Sequence, residues 1–416
     1  MTDTPRGGMS PVEQRERVAA LDVLRGVAIL GILVVNIELF RGPEYLLTFS
    51  GTSALSGPDA LLSAVISAFA ESKFITTLAF LFGLGFTLQG IRAEGRGRSA
   101  NRLLARRMVV LLLFGVLHAV LIWSGDILLA YALIGFVFLL FYRCRPRTLL
   151  IWAGAALGIP LLLGLLLAAL AFVTAALVGG AEAAGTQDAQ LAFFQDFAQN
   201  AEAAYTSGSY SEMVVQRLWE LLFMVPLGLF IFGPLILAMM LLGAAVARSG
   251  WISNLAEHRG GIRRAAMVGL GAGLPLNVFY GLSTYAFDPQ TSAVSALGFP
   301  ALILGAPLLA VGYISTIALL VLRAPEGNPG AVQRRLAAVG RIALTNYLTQ
   351  SIVMTAIFYG FGLYGSVSLA AALLIGAALI CAQLILSPVY LRKFSQGPAE
   401  WLWRRLTYGP TEKASS

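Results

Sequence analysis

The chain has 416 residues, 58% of them hydrophobic and 12% charged, about half the charged share usual in a soluble domain. Its formal net charge of +8 lies between apolar blocks and is not gathered in one patch, so nucleic acid is not an expected partner. The two cysteines, Cys144 and Cys381, offer no disulfide framework and no cysteine metal site.

About eighteen polar residues precede the first apolar run, and no small-residue cleavage site follows it, so no cleavable signal is expected. Segments 148–181, 221–247, 265–287, 290–322 and 342–391 contain no charged residue. About 20 apolar residues cross a bilayer as a helix, so each block is long enough to span, and the last crosses twice around the glycine-rich stretch 360–366. The short alternating segments of a β-barrel are absent. The pattern predicts an all-α polytopic membrane bundle of about ten helices: 19–40, 61–91, 104–124, 126–142, 148–178, 213–247, 264–287, 294–322, 341–362 and 367–392. The second and sixth exceed a simple span and suit tilted or interfacial beginnings.

Of the 29 basic residues, 25 fall on one side of such a model, in the N-terminal tail, the loops near 92–107, 143–147, 248–264 and 323–341, and the C-terminal tail. The opposite loops carry acids: Glu44, Asp59, Glu182, Asp188, Asp196, Glu202 and Asp288. The asymmetry predicts both termini in the cytoplasm. The expected organisation is a cytoplasmic tail 1–18, one bundle 19–392 and a cytoplasmic tail 393–416. The one long outer loop, 179–212, reads equally as an interfacial helix or a solvated connector.

Ionisable groups inside hydrocarbon are expensive and need a partner or a task. Asp22 and Arg25 share a helix face, three residues apart. They read either as an interfacial anchor or as an arginine gripping an anionic cytosolic ligand, for which a guanidinium fork suits phosphate. Asn36 falls about three turns beyond Arg25 on nearly the same face. His118 lies in the outer half of the third helix, and a short hairpin brings Asp126 to its outer mouth. A carboxylate there would fix the imidazole tautomer and raise its basicity, while helix–helix hydrogen bonding is the plainer reading. Arg106 and Arg107 begin the same helix about 17 Å from His118. Near the start of the ninth helix, Asn346, Tyr347, Gln350 and Ser351 make a polar stripe that should face the interior, by hydrogen bonding or by function. His258, in a basic loop, reads as solvated. With two histidines far apart and no clustered cysteines, no metal is expected.

Several motifs resemble the YeiB-like bacterial membrane proteins: Leu21-Asp22 through Asn36, Phe80 through Gly85, the His118-to-Asp126 hairpin, Gly340-Arg341 through Ser351, and Phe394 through Arg404. The resemblance covers nearly the whole chain, and the order of the motifs makes it specific. It implies a wider relationship to transmembrane acyltransferases such as the lysosomal heparan-α-glucosaminide N-acetyltransferase, which use an intramembrane histidine that His118 would match.

The resulting expectation is a bacterial inner-membrane acyltransferase. It would move an acyl group, acetyl by preference, from cytosolic acyl-CoA to an amine or hydroxyl of an envelope glycan or similar acceptor. His118 would be base or transient acyl carrier, oriented by Asp126. Arg25, Arg106, Arg107 and Arg341 would hold the donor phosphates. Asn36, Asn346, Tyr347 and Gln350 would polarise the thioester or bind the acceptor. Membrane lipids are expected partners, and self-association is left open. The competing expectation is a small-molecule transporter.

Overall fold

Backbone groups in hydrocarbon must bond within their own segment, so long apolar blocks fold as helices. The computed structural model describes residues 11–43, 55–178, 184–286, 294–323 and 330–408, and these contain helices and turns with no strand. Arg6, Lys413, Glu44, Glu182 and Asp288 lie outside the described residues.

In chain order the helices are α1 (Pro11–Arg41), α2 (Gly57–Phe69), α3 (Lys73–Glu94), α4 (Ala100–Leu121), α5 (Leu128–Phe138), α6 (Pro146–Val178) and α7 (Ala184–Ser207). Then follow α8 (Tyr210–Arg248), α9 (Arg259–Ala286), α10 (Gly298–Leu322), α11 (Ala331–Arg341), α12 (Ala343–Thr355), α13 (Leu369–Tyr390) and α14 (Pro398–Tyr408). Eight of the ten expected segments are long and apolar enough to cross a membrane, which makes this a membrane protein. The fourth and ninth are shorter. The helix α5 has 11 residues, and α12 has 13 before a π-helical turn, Ala356–Gly360, ends it.

The second expected helix, 61–91, is broken at Ala70–Ser72. Ser72 has a φ of 63°, and the elbow buries charge: Lys73 Nζ donates to the Ser67 carbonyl at 2.5 Å, while Tyr280 donates to Glu71 at 3.0 Å. Polar groups satisfied locally stabilise a bend that hydropathy alone does not mark. By contrast the sixth segment is one helix of 39 residues, begun by a capping box in which Ser209 and Glu212 satisfy each other's backbone N–H.

Charged residues gather at the ends. Arg143 pairs with Glu94 at 2.9 Å, and Arg248 Nε donates to the Tyr142 carbonyl at 2.8 Å, marking the basic end. At the opposite, acidic end, Arg41 approaches Asp59 at 4.0 Å, and Asp59 accepts from the backbone N–H of Leu369, which opens α13, at 2.8 Å.

Two close approaches set the interior. Added Cβ atoms at Gly83 and Gly243 would overlap carbonyls of the opposing helix, at Met240 and Phe80, so α3 and α8 pack backbone to backbone. Gly340 meets the Asp22 carbonyl in the same way, locking α11 onto α1. Such contacts replace the missing hydrophobic drive between helices in lipid. The Leu-rich α6 turns residues such as Leu162 and Leu166 outward.

Two segments expected as loop or tail fold onto the bundle. Within the expected 179–212 loop, α7 buries Phe197, Ala201 and Tyr205 against Phe40, Trp123 and Tyr359. In the expected tail, Glu400 of α14 accepts from the backbone N–H groups of Leu344 and Thr345 at 2.7 and 3.1 Å. It thereby caps the start of α12, where a negative charge also complements the helix dipole.

Candidate active site

Helical spacing places Leu104, Arg107, Met108, Leu111, Gly115 and His118 on the buried face of α4, so Arg107 and His118 look into the same interior about 17 Å apart. After Leu121 the chain turns back at once. The backbone N–H groups of Ile122 and Trp123 both bond to the His118 carbonyl at 2.9 Å, which ends α4 and aims the hairpin at the imidazole.

The hairpin delivers Asp126. His118 Nδ1 lies 2.8 Å from Asp126 Oδ1, and the two side chains are 1% and 0% exposed. No hydrogen bond joins the two atoms in this geometry, so the pair is a close contact of ring nitrogen and carboxylate oxygen. Asp126 Oδ2 accepts from the backbone N–H of Leu129 at 2.6 Å, which fixes the carboxylate at the start of α5. Tyr347 on α12 donates to Asp126 Oδ1 at 3.3 Å and accepts from the Ile127 N–H at 3.2 Å. Its ring lies 5.2 Å from the imidazole. The opposite ring nitrogen, Nε2, is buried and has no hydrogen-bond partner among the described residues. An imidazole with one nitrogen against a carboxylate and the other unengaged is arranged to accept a proton on Nε2.

The sequence places Asp126 at the outer mouth of the third helix, and in the structure other segments cover that position. Trp123 is buried and stacks on Phe40 at 4.0 Å, while α7 and α8 cover the hairpin. Ser124 and Tyr205 both donate to Glu220, the tyrosine at 3.0 Å, and Gln216 donates to it at 3.2 Å. Arg217 and Tyr210 donate to the Leu121 carbonyl at 3.0 and 2.7 Å, clamping the last turn of α4 beside His118. Sequence reasoning missed Glu220, Gln216 and Arg217 because they sit near the expected start of their helix. Their 216/220 and 217/220 spacing was the available signal.

The polar stripe of α12 divides. Tyr347 joins the His118–Asp126 pair. Asn346 instead bonds Val339 and Ser387 at 3.1 and 3.2 Å, and Gln350 bonds Gln383 at 2.8 Å. Those two tie α12 to α11 and α13, away from the pair. Asn36 is half-buried one turn before Phe40, and makes none of the hydrogen bonds that hold the pair.

The expected donor arginines also divide. Arg25 bonds Asp22 at 2.8 Å, and an added Cβ at Gly85 would sit 3.9 Å from its guanidinium, so it faces α3. Its charge, with that of Arg404, reaches Arg107. Arg107 is buried, donates to the Tyr408 hydroxyl at 2.9 Å, and lies 4.2 Å over the Trp403 ring. It has no carboxylate within ion-pair distance among the described residues, and its Nε is unpaired. The adjacent Arg106 points elsewhere, to the Leu406 carbonyl at 3.0 Å. Arg341 is exposed and belongs to a different groove, lined also by Arg334 and Arg392.

A helical membrane bundle with a buried histidine–aspartate pair in one half and converging arginines in the other is the class that fold and site define. The family model described as a protein of unknown function, DUF418, matches residues 246–410. YxaH of Bacillus subtilis (strain 168) is 38% identical over 96% of each chain. YeiB of Escherichia coli (strain K12) is 32% identical over 94% of this chain and 96% of its own. A 39.9 kDa protein from the amylase 3′ region of Bacillus acidopullulyticus is 29% identical over 96% of each. All three are described as uncharacterized. The chain belongs to the YeiB family. No solved structure matches it.

Proposed function

We propose that the protein is a transmembrane acyltransferase. It takes an acyl group, acetyl by preference, from cytosolic acyl-CoA and passes it to an amine or hydroxyl of an envelope glycan or similar acceptor from the other side. The observation that carries this reading is the buried face of α4. It holds a histidine with an unengaged Nε2 beside a carboxylate, and about 17 Å away a buried arginine without a carboxylate. That separation suits the extended arm between the phosphates and the thioester of acyl-CoA.

Arg25 and Arg107 bind the donor phosphates, since like charges held together are stabilised by an anion and charge-assisted bonds are the strong ones. His118 Nε2 takes the acceptor's proton as its nitrogen or oxygen attacks the thioester carbonyl. A new C–N or C–O bond forms, the C–S bond breaks, and the imidazolium returns the proton to the departing thiolate. Asp126 stabilises the transient imidazolium, and Tyr347 holds Asp126. Ten crossings in the bacterial inner membrane, with both termini cytoplasmic, put the arginines on the donor side. The fourth and ninth crossings are the short helices α5 and α12.

The decisive assay is release of free CoA from acetyl-CoA by purified protein with amine- and hydroxyl-bearing glycan acceptors. Solute transport with no consumption of acetyl-CoA overturns the proposal. Cysteine accessibility after residues 100, 190 and 255 tests the topology, and finding the 92–107 loop outside overturns it.

A further inference from the structure

The helix α14 lies across Arg107 with no task of its own in acyl transfer. Trp403 and Thr407 are four residues apart on α14, so they share one face. Arg107 lies 4.2 Å over the Trp403 ring. On either side of Thr407, the Leu406 carbonyl accepts from Arg106 and the Tyr408 hydroxyl accepts from Arg107. Thr407 is thereby pressed toward the bundle and is 2% exposed.

Three donors at this contact have no acceptor. They are the Arg107 Nε–H, the Trp403 Nε1–H and the Thr407 hydroxyl, each shut off from solvent. A buried indole or hydroxyl ordinarily finds a partner, because losing water costs free energy that a hydrogen bond must restore. The charge around them is of one sign. Arg25 and Arg404 both extend their fields to Arg107. Among the described residues, the one carboxylate in ion-pair range of these three arginines is Asp22, on Arg25. Unpaired donors amid excess positive charge define an anion site. A carboxylate presents two oxygens and one charge, whereas a phosphate ester presents more oxygens, and often more charge, to donors from two helices.

The other end of α14 is fixed as firmly. The Ala399 N–H donates to Thr345 Oγ1 at 3.2 Å, while Glu400 accepts from the Leu344 and Thr345 N–H groups. The starts of α14 and α12 therefore cap each other. Packing holds the Trp403–Thr407 face against α4 before any ligand arrives, which lowers the ordering cost of binding.

We propose that α14 is the second half of a phosphate-ester site, in which Trp403 Nε1–H and Thr407 Oγ1–H donate to the phosphate that Arg107 holds. That phosphate belongs to the nucleotide end of the acyl donor, an assignment that rests on the acyl-transfer reading. Trp403 and Thr407 are then donor-binding residues.

The test is calorimetry on the full chain in detergent with CoA and, separately, with inorganic pyrophosphate, beside thermal unfolding of the ligand-free protein. Thr407→Val keeps the shape of the side chain and deletes the unpaired hydroxyl. It should weaken CoA binding roughly tenfold. Its ligand-free unfolding temperature should stay at or above that of wild type, because a buried donor without an acceptor destabilises. Trp403→Phe keeps a ring against Arg107, deletes the N–H and should weaken CoA to a similar degree. The control Thr316→Val removes an unpaired buried hydroxyl on α10 and should leave affinity unchanged. Wild-type CoA affinity in both α14 variants overturns the site and leaves the donor reading standing. A lower unfolding temperature in Thr407→Val with CoA affinity intact makes the hydroxyl structural and also overturns it. Pyrophosphate binding that depends on both residues, with no binding of CoA, keeps the site and overturns the acyl-CoA reading. If wild type binds neither probe, the site is overturned.

Discussion

His118 Nδ1 sits 2.8 Å from Asp126 Oδ1 with both side chains withdrawn from solvent, although one residue is in the last turn of α4 and the other precedes α5. The hairpin between them leaves no room to relax, because Arg217 and Tyr210 hold the Leu121 carbonyl and Tyr347 holds Asp126. A pair fixed so rigidly should reveal its task when single atoms are removed.

His118→Ala is expected to insert, purify as a monodisperse species and bind CoA, while CoA release falls by the 10²–10⁴-fold, roughly, that general acid–base help supplies. Asp126→Asn keeps the imidazole and should fall less. Full activity in His118→Ala would make it a packing residue.

Tyr347→Phe deletes the hydroxyl that bonds Asp126 and the Ile127 N–H. Leaving a buried donor unpaired costs about 1–3 kcal/mol, so stability should drop and kcat should fall with KM nearly unchanged. Gln350→Leu, which removes the bond to Gln383, should lower the unfolding temperature and leave kcat per folded molecule intact. Equal loss of kcat in both variants would remove the distinction between site and helix contact.

Arg107→Gln and Arg106→Gln remove the same charge one residue apart, yet one side chain is buried under Trp403 and the other lies on the surface. Calorimetry with CoA is expected to show at least a tenfold weaker Kd, about 1.4 kcal/mol, for Arg107→Gln and little change for Arg106→Gln. Identical affinities would place the donor elsewhere.

Glu400→Ala uncaps α12 by removing the acceptor for the Leu344 and Thr345 N–H groups. Loss of a cap is worth about 1 kcal/mol, so the unfolding temperature should fall. Activity should fall with it, because the same helix carries Tyr347 three residues beyond Leu344. Unchanged stability would show that α14 docks without supporting the helix.

Gly83→Val drives a side chain into the Met240 carbonyl across the α3–α8 contact. Overpacking of this kind costs about 1–3 kcal/mol, measurable as a lower unfolding temperature. The same substitution at Gly154, where an added Cβ meets nothing, should be neutral.

By itself the sequence determined the class of the protein and brought together the residues of the candidate site. Blocks of apolar residues too long for a soluble core admit one solution in lipid, and the spacing from Arg107 to His118 on one helix fixes their shared face and separation. The short hairpin also made the meeting of His118 with Asp126 legible, since few residues separate them. Tertiary structure decided what depends on partners distant in sequence. It split the α12 stripe, sending Tyr347 to Asp126 and Gln350 to Gln383, because a few degrees of helix rotation choose between neighbours that periodicity treats alike. It folded α7 over the hairpin and brought Glu220 beneath Ser124 and Tyr205. It also drew α14 across Arg107, since amphipathic segments reveal an apolar face but not the surface that will cover it.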